Sequence, residues 1–285
     1  MVASPEVIFL DCGGEWPIAV LPYGRENTAP PVIMLHGLES HSAWFARSAA
    51  HIASLGYPVY GMDRRGSGHS VAPRGWCGDF QDLLDDIDAL ADTILPRHGK
   101  DRFHLLGHCF GAIPATAYAC SRPGRLHSLV LGTPAIYTLA GPPFGDKLKI
   151  LWAGLTGSRM NIPVPLEAEW FTDNPEHLDF IRSDPLALHE ASARIYWETA
   201  RARRFIHAHE DALTMPVFMG LAERDRICDN TEDRAFFDRI PTSRKRCVTY
   251  DGAIHILEFS ERKQDFFSDL DEWFAEIDPV REELV

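Results

Sequence analysis

Short apolar runs alternate with segments of helical periodicity along most of this chain. Residues 7–10 and 17–21 are apolar runs split by Cys12-Gly13-Gly14, and they read as an opening antiparallel strand pair. Val32-Ile33-Met34-Leu35 lacks polar alternation, as expected of a strand covered on both faces. Helical spacing over 43–55 follows, then a strand over 58–62. From Phe80 the apolar positions 83, 84, 87, 90, 91 and 94 recur every three or four residues, which predicts an amphipathic helix with Asp79 as its N-cap. Phe103, Leu105 and Leu106 mark another strand, the small-residue run 112–120 a helix, and residues 128–131 a further strand. Alternation of this kind belongs to a mostly parallel central sheet with helices on both faces.

Regularity stops near Pro134. Residues 135–212 are rich in proline and aromatic side chains, with helices expected at 145–155, 175–182 and 186–207. The alternation then resumes with a strand at 217–221, a helix over 230–240, a strand at 247–250 and a last helix over 261–277. The expected organisation is therefore one α/β core made of residues 1–134 and 213–285, interrupted by an inserted helical cap, 135–212.

Charge and composition narrow the partners. A net charge of −13 over 285 residues argues against nucleic acid and against anionic membrane surfaces. Residues 103–121 and 126–145 carry no Asp, Glu, Lys or Arg, but His, Gly and Pro interrupt both, so buried core is expected and not stable membrane insertion. The first residues show no basic start followed by a long apolar run, so no signal peptide is expected. Six scattered cysteines without paired spacing suggest free thiols in a reducing, cytoplasmic compartment.

The chemistry centres on Gly107-His108-Cys109-Phe110-Gly111. Between a strand and a helix this is the nucleophile elbow G-x-S-x-G with sulfur in place of oxygen. A helix N-terminus at Cys109 would favour the thiolate. Such a nucleophile needs an acid and a histidine later in the chain. Asp225, after the strand that follows the cap, and His255, after the last strand, stand in that order. Glu223 and Asp229 are rivals for the acid. The backbone N–H groups of Phe110 and of Leu38, in the loop after residues 32–35, are the expected oxyanion donors. His36 reads as a structural loop residue, and Glu258 as an anchor of the last helix. His104 and His108 fall on a strand and turn and not on one helix face, so no metal site is expected, and no cofactor.

Taken together these segments resemble the monoacylglycerol lipase/lysophospholipase (serine aminopeptidase S33-type) group of α/β-hydrolases. His36-Gly37 with Glu39-Ser40-His41 is similar to that group's oxyanion loop. Met62-Asp63-Arg64-Arg65-Gly66-Ser67-Gly68-His69-Ser70 resembles its D-x-R-G-x-G-x-S segment, and Asp225-Arg226-Ile227 and Ala253-Ile254-His255 match its acid and base positions. The departure is Cys109, where the group has serine; dienelactone hydrolases and polyhydroxyalkanoate synthases resemble this fold with a cysteine nucleophile. The resemblance implies an α/β-hydrolase fold and a small-molecule acyl substrate, carrier- or CoA-linked donors included. It implies hydrolysis of an ester, thioester or lactone through an acyl-cysteine held by Cys109, His255 and Asp225. The alternatives are an acyltransferase or cyclase using the same intermediate, and a non-catalytic binding protein on a hydrolase fold.

Overall fold

The computed structural model describes residues 5–279. β1 (Ile8–Leu10) and β2 (Ile18–Tyr23) form the antiparallel entry, followed by β3 (Val32–Leu35), α1 (Ala46–Ser54), β4 (Val59–Met62) and α2 (Phe80–Ile94). β5 (Phe103–His108), α3 (Ala112–Ser121) and β6 (Leu126–Gly132) come next. Then come α4 (Phe144–Thr156), β7 (Asn161–Pro163), α5 (Pro175–Ser183), β8 (Glu190–Ser192) and α6 (Ala193–Ala208). β9 (Val217–Ala222), α7 (Asn230–Arg239), β10 (Lys245–Tyr250) and α8 (Lys263–Ile277) complete the chain.

Eight strands make one sheet in the order β1-β2-β4-β3-β5-β6-β9-β10. From β4 onward every neighbouring pair is parallel, while β2 runs antiparallel to both β1 and β4. Every residue of β3, β5 and β9 is buried. Side chains alternate between the two faces of a strand, so complete burial requires cover on both, and that is why these runs lack polar alternation. Helices surround the sheet, giving the α/β-hydrolase fold.

The connections leave β3 toward β4 on one side and enter β5 on the other. Strand order reverses there, and a crevice opens beyond the carboxyl ends of the two strands. α2 begins as its pattern predicts: the Asp79 side chain accepts from the Gln81 N–H at 2.9 Å, and the Asp79 N–H donates to Asp82 at 3.0 Å. This reciprocal cap stabilises the helix start by about 1 kcal/mol. α3 is buried from Ala112 to Cys120, which explains its uncharged, small-residue sequence.

Between β6 and β9 the elements leave the main sheet; β7 and β8 pair only with each other. The helix expected over 186–207 begins at Ala193. Residues ahead of it turn at 185–186 and then run into β8, because core loops take their backbone groups. Arg74 donates to the Leu186 and Ala187 carbonyls at 3.0 and 3.3 Å. The Leu188 N–H donates to Glu39 at 2.8 Å, and the Ser192 N–H to Gly75 at 2.9 Å. Ser192 then caps α6 by accepting from the Ile195 N–H. Among the described residues no helix is long and apolar enough to cross a membrane.

Candidate active site

β5 delivers Cys109 to the carboxyl edge of the sheet, and the chain turns there with a Cys109 φ of 51°. A non-glycine residue in the left-handed region is strained, and it persists only where its surroundings fix it. They do so here. A Cβ on Gly111 would lie 2.5 Å from the Leu35 carbonyl oxygen, and one on Gly107 2.6 Å from that of Gly111. Neither position tolerates a side chain, so the two glycines let α3 pack directly behind the turn. From the far side, the Ala135 N–H donates to the Cys109 carbonyl at 3.0 Å.

The loop after β3 passes beside the sulfur; a Cβ built on Gly37 would stand 3.5 Å from Cys109 Sγ. His36 braces this loop. One ring nitrogen meets the Gly37 carbonyl at 2.8 Å, and the other accepts from the Arg64 N–H at 3.0 Å. Burial and the neighbouring Arg64 push its pKa down to about 3, so it is a neutral strut. Arg64 also donates to the Leu38 carbonyl at 2.9 Å. Leu38 and Phe110 both line the cavity that contains Cys109.

Asp225 and His255 follow β9 and β10 and meet at 2.8 Å, Oδ2 to Nδ1, with both side chains shut off from solvent. The second Asp225 oxygen accepts from the Ile227 and Cys228 N–H groups at 2.8 and 2.9 Å, so the carboxylate is fixed in orientation. His255 Nε2 is buried without a hydrogen-bond partner. Burial opposes a charge on this ring, but Asp225 and the Cys109 sulfur outweigh it and push the pKa up to about 10.

The rival residues have other occupations. Glu223 is exposed and accepts from the Gly252 N–H at 2.7 Å. Asp229 caps α7. Glu258 anchors α1 and not the last helix: its carboxylate takes the Arg47 and Ser48 N–H groups at 3.2 Å and the Ser48 hydroxyl at 2.6 Å. His104 bonds Ser128 and Asp278, whereas His108 stacks on Phe45 at 4.1 Å, so these two histidines do not converge. Among the described residues three groups do bring metal-type ligands together: His41–Asp63–His69, His104–His127–Asp278 and Asp225–Cys228–His255. In each the carboxylate already accepts from protein donors.

Sequence reasoning did not single out Cys228 as a neighbour of the site. Its sulfur lies 3.9 Å from His255 Nδ1 and donates to the Thr133 carbonyl at 3.2 Å. Burial pushes its pKa well up, which makes it an inert filler beside the imidazole. The cavity over Cys109 has a volume of about 230 Å³ and is walled by Ile150, Val164, Leu166 and Ile195 from the segment between β6 and β9. Phe171, from the same segment, meets the His255 ring edge-on at 5.8 Å, and its carbonyl accepts from the Ile256 N–H.

Comparison with known proteins agrees with this architecture. Rat (Rattus norvegicus) monoglyceride lipase is 25% identical over 265 residues, covering 89% of this chain and 85% of the lipase. The monoacylglycerol lipase of Mycolicibacterium smegmatis is 26% identical over 249 residues, covering 86% and 87%. A soluble variant of monoglyceride lipase from Saccharomyces cerevisiae, solved with a substrate analogue, superposes with a TM-score of 0.85 at 18% identity, covering 97% of each chain. The family model for serine aminopeptidase, S33, matches residues 27–262, and the chain is accordingly an α/β-hydrolase of that family.

Proposed function

We propose that this protein hydrolyses carboxylic esters and thioesters through an acyl-Cys109 intermediate, with residues 135–212 as a cap over a core of residues 1–134 and 213–285. One observation carries the reading: a buried Asp225–His255 pair, with a strongly basic imidazole, serves a cysteine held in a strained turn beneath an apolar cavity. The monoglyceride lipase relatives support an ester as substrate, and the aliphatic cavity walls suit an acyl chain. Free thiols at all six cysteines suit a reducing, cytoplasmic setting.

The steps follow from the charges. A protonated His255 opposite Cys109 favours the thiolate, and Asp225 stabilises the imidazolium. The thiolate attacks the acyl carbon. The carbonyl π-electrons move to oxygen, which the Leu38 and Phe110 N–H groups stabilise. As the oxyanion collapses, the bond to the leaving group breaks and His255 gives its proton to that oxygen or sulfur. Acyl-Cys109 and a neutral imidazole remain. His255 then takes a proton from water, the hydroxide adds to the thioester, and collapse releases the carboxylic acid and restores the thiolate.

A thiolate leaves easily, so the first intermediate can revert by expelling sulfur. Thioesters and aryl esters, whose own leaving groups compete with it, should therefore be preferred over alkyl esters. In Cys109→Ser the balance shifts toward alkyl esters, because an alkoxide is the poorer leaving group. Measuring kcat/KM for matched thioester, aryl ester and alkyl ester substrates in both proteins tests this. The same ranking with sulfur and oxygen would sink the argument that cysteine selects activated donors.

A further inference from the structure

α6 carries Tyr196, Thr199 and Arg203 at spacings of three and four residues, on one helix face, and all three line the cavity that holds Cys109. Arg203 is its one permanently charged lining residue among those described; the rest are apolar or neutral apart from Cys109 itself. Its Nη2 donates to the Ala135 carbonyl at 2.8 Å and, at the long limit of 3.4 Å, to the Thr138 hydroxyl. Nε is buried without a partner, and no carboxylate among the described residues comes within ion-pair distance. The Tyr196 hydroxyl is buried and unpartnered as well. Burial opposes the Arg203 charge, and Cys228, Asp233 and Cys109 favour it without pairing with it; burial raises the Asp233 pKa to about 8, leaving that acid largely uncharged at neutral pH.

A partly buried guanidinium without a counter-ion carries a desolvation cost, and groups of this kind are ordinarily paired. Among the described residues five arginines, at 65, 122, 125, 201 and 246, each meet two carboxylates, whereas Arg64, like Arg203, donates only to uncharged oxygens and covers the Phe110 ring instead. At Arg203 the counter-ion is missing at the place where a ligand would enter. The position is also next to the chemistry, since Ala135 donates its N–H to the Cys109 carbonyl and accepts Arg203 on its own carbonyl.

We propose that Arg203, assisted by the Tyr196 hydroxyl, binds a free carboxylate on the substrate, so that the favoured acyl donors are monoanionic esters or thioesters within the class proposed above. A planar, five-donor fork suits a carboxylate, which would take the donors Arg203 leaves unused, while the aliphatic walls hold the chain between it and Cys109. Only the turnover part of this inference rests on acylation of Cys109; the carboxylate site itself does not.

The test compares twins that differ by one carboxylate. On the acyl side the pair is mono-4-nitrophenyl adipate and 4-nitrophenyl hexanoate; on the leaving-group side it is 4-carboxyphenyl butyrate and phenyl butyrate. Arg203→Met should lower kcat/KM for the anionic member of one pair by roughly 10- to 100-fold more than for its neutral twin, mainly through KM. Arg203→Lys should restore part of the loss. Which pair responds tells where the carboxylate is carried. Equal losses for both members, or no loss in either pair, would overturn the proposal. Calorimetric titration of adipate and of 4-hydroxybenzoate into Cys109→Ala protein separates this idea from the catalytic one. Binding of either that weakens in both Arg203→Met and Tyr196→Phe supports the site even if Cys109 is never acylated. Folded protein that binds neither overturns it.

Discussion

In the proposed mechanism the reacting atom is Cys109 Sγ, and its behaviour depends on the charge state of His255. An imidazole titrating near 6.5 would be mostly neutral at physiological pH and would have to take the thiol proton as attack occurs. A ring with a pKa of about 10 already holds the proton, ready for the leaving group. The linkage has a definite sign. The folded state keeps a proton that the unfolded chain releases near 6.5, so this contribution to stability is complete below about 6.5 and is lost as pH rises toward about 10. Melting temperature should therefore fall more steeply in the parent protein than in His255→Gln at the alkaline end of that window, where the unfolded cysteine has also lost its proton and no longer balances the imidazolium, and histidine NMR should show the ring still charged at pH 8. Parallel melting curves, or a midpoint near 6.5, would contradict the ion-pair reading. A second outcome belongs to this scale. Asp225→Asn should cut turnover by about three to four orders of magnitude with the fold intact, because the ring loses its orienting acceptor and its counter-charge. Glu223→Gln should be nearly silent, since Glu223 only braces the Gly252 turn. The reverse pattern would show that the acid is the wrong one.

Helices α3 and α4 mark the two extremes of burial among the described helices. α3 is buried from Ala112 through Cys120, whereas α4 buries only Ala153 and leaves Phe144, Leu148, Trp152 and Leu155 more than half exposed. Local opening follows packing, so α4 amides should exchange hydrogen at least about tenfold faster than those of α3 by mass spectrometry; equal protection would mean that the cap is as firmly held as the core. The same contrast explains what was legible in the sequence. Core elements were readable because the physics that forms them is local: full burial gives unbroken apolar runs in β3 and β5, and a half-buried helix gives the spacing of α2 and its Asp79 cap. The β7–β8 hairpin and the true start of α6 were not readable. Three-residue strands leave no period to detect, and residues 186–192 stay out of the helix because Arg74, Gly75 and Glu39 hold them, contacts that only tertiary structure supplies.

Across the whole molecule, the triad candidates were legible because the fold fixes their chain order: an elbow after β5, an acid after β9 and a histidine after β10. Arg203, Tyr196 and Cys228 were not. The three-and-four spacing of 196, 199 and 203 could have marked a helix face, but nothing in the sequence says that this face turns toward Cys109. Cys228 reaches His255 only because the segment after β9 folds back beneath the end of β6, where its sulfur meets Thr133. The sheet thus positions Cys109, Asp225 and His255, and the segment between β6 and β9 supplies aliphatic cavity walls and Arg203. All of this converges on one claim, that the acyl group passes through Cys109 sulfur. Intact-mass spectrometry after rapid acid quench of the protein with 4-nitrophenyl hexanoate and with a hexanoyl thioester tests it most directly. The expected result is a single hexanoyl adduct, mapped by peptide sequencing to Cys109, labile to hydroxylamine, and accumulating in His255→Ala if any acylation survives there. Turnover of both substrates with the adduct on another residue, or undiminished turnover in Cys109→Ala, would contradict the account.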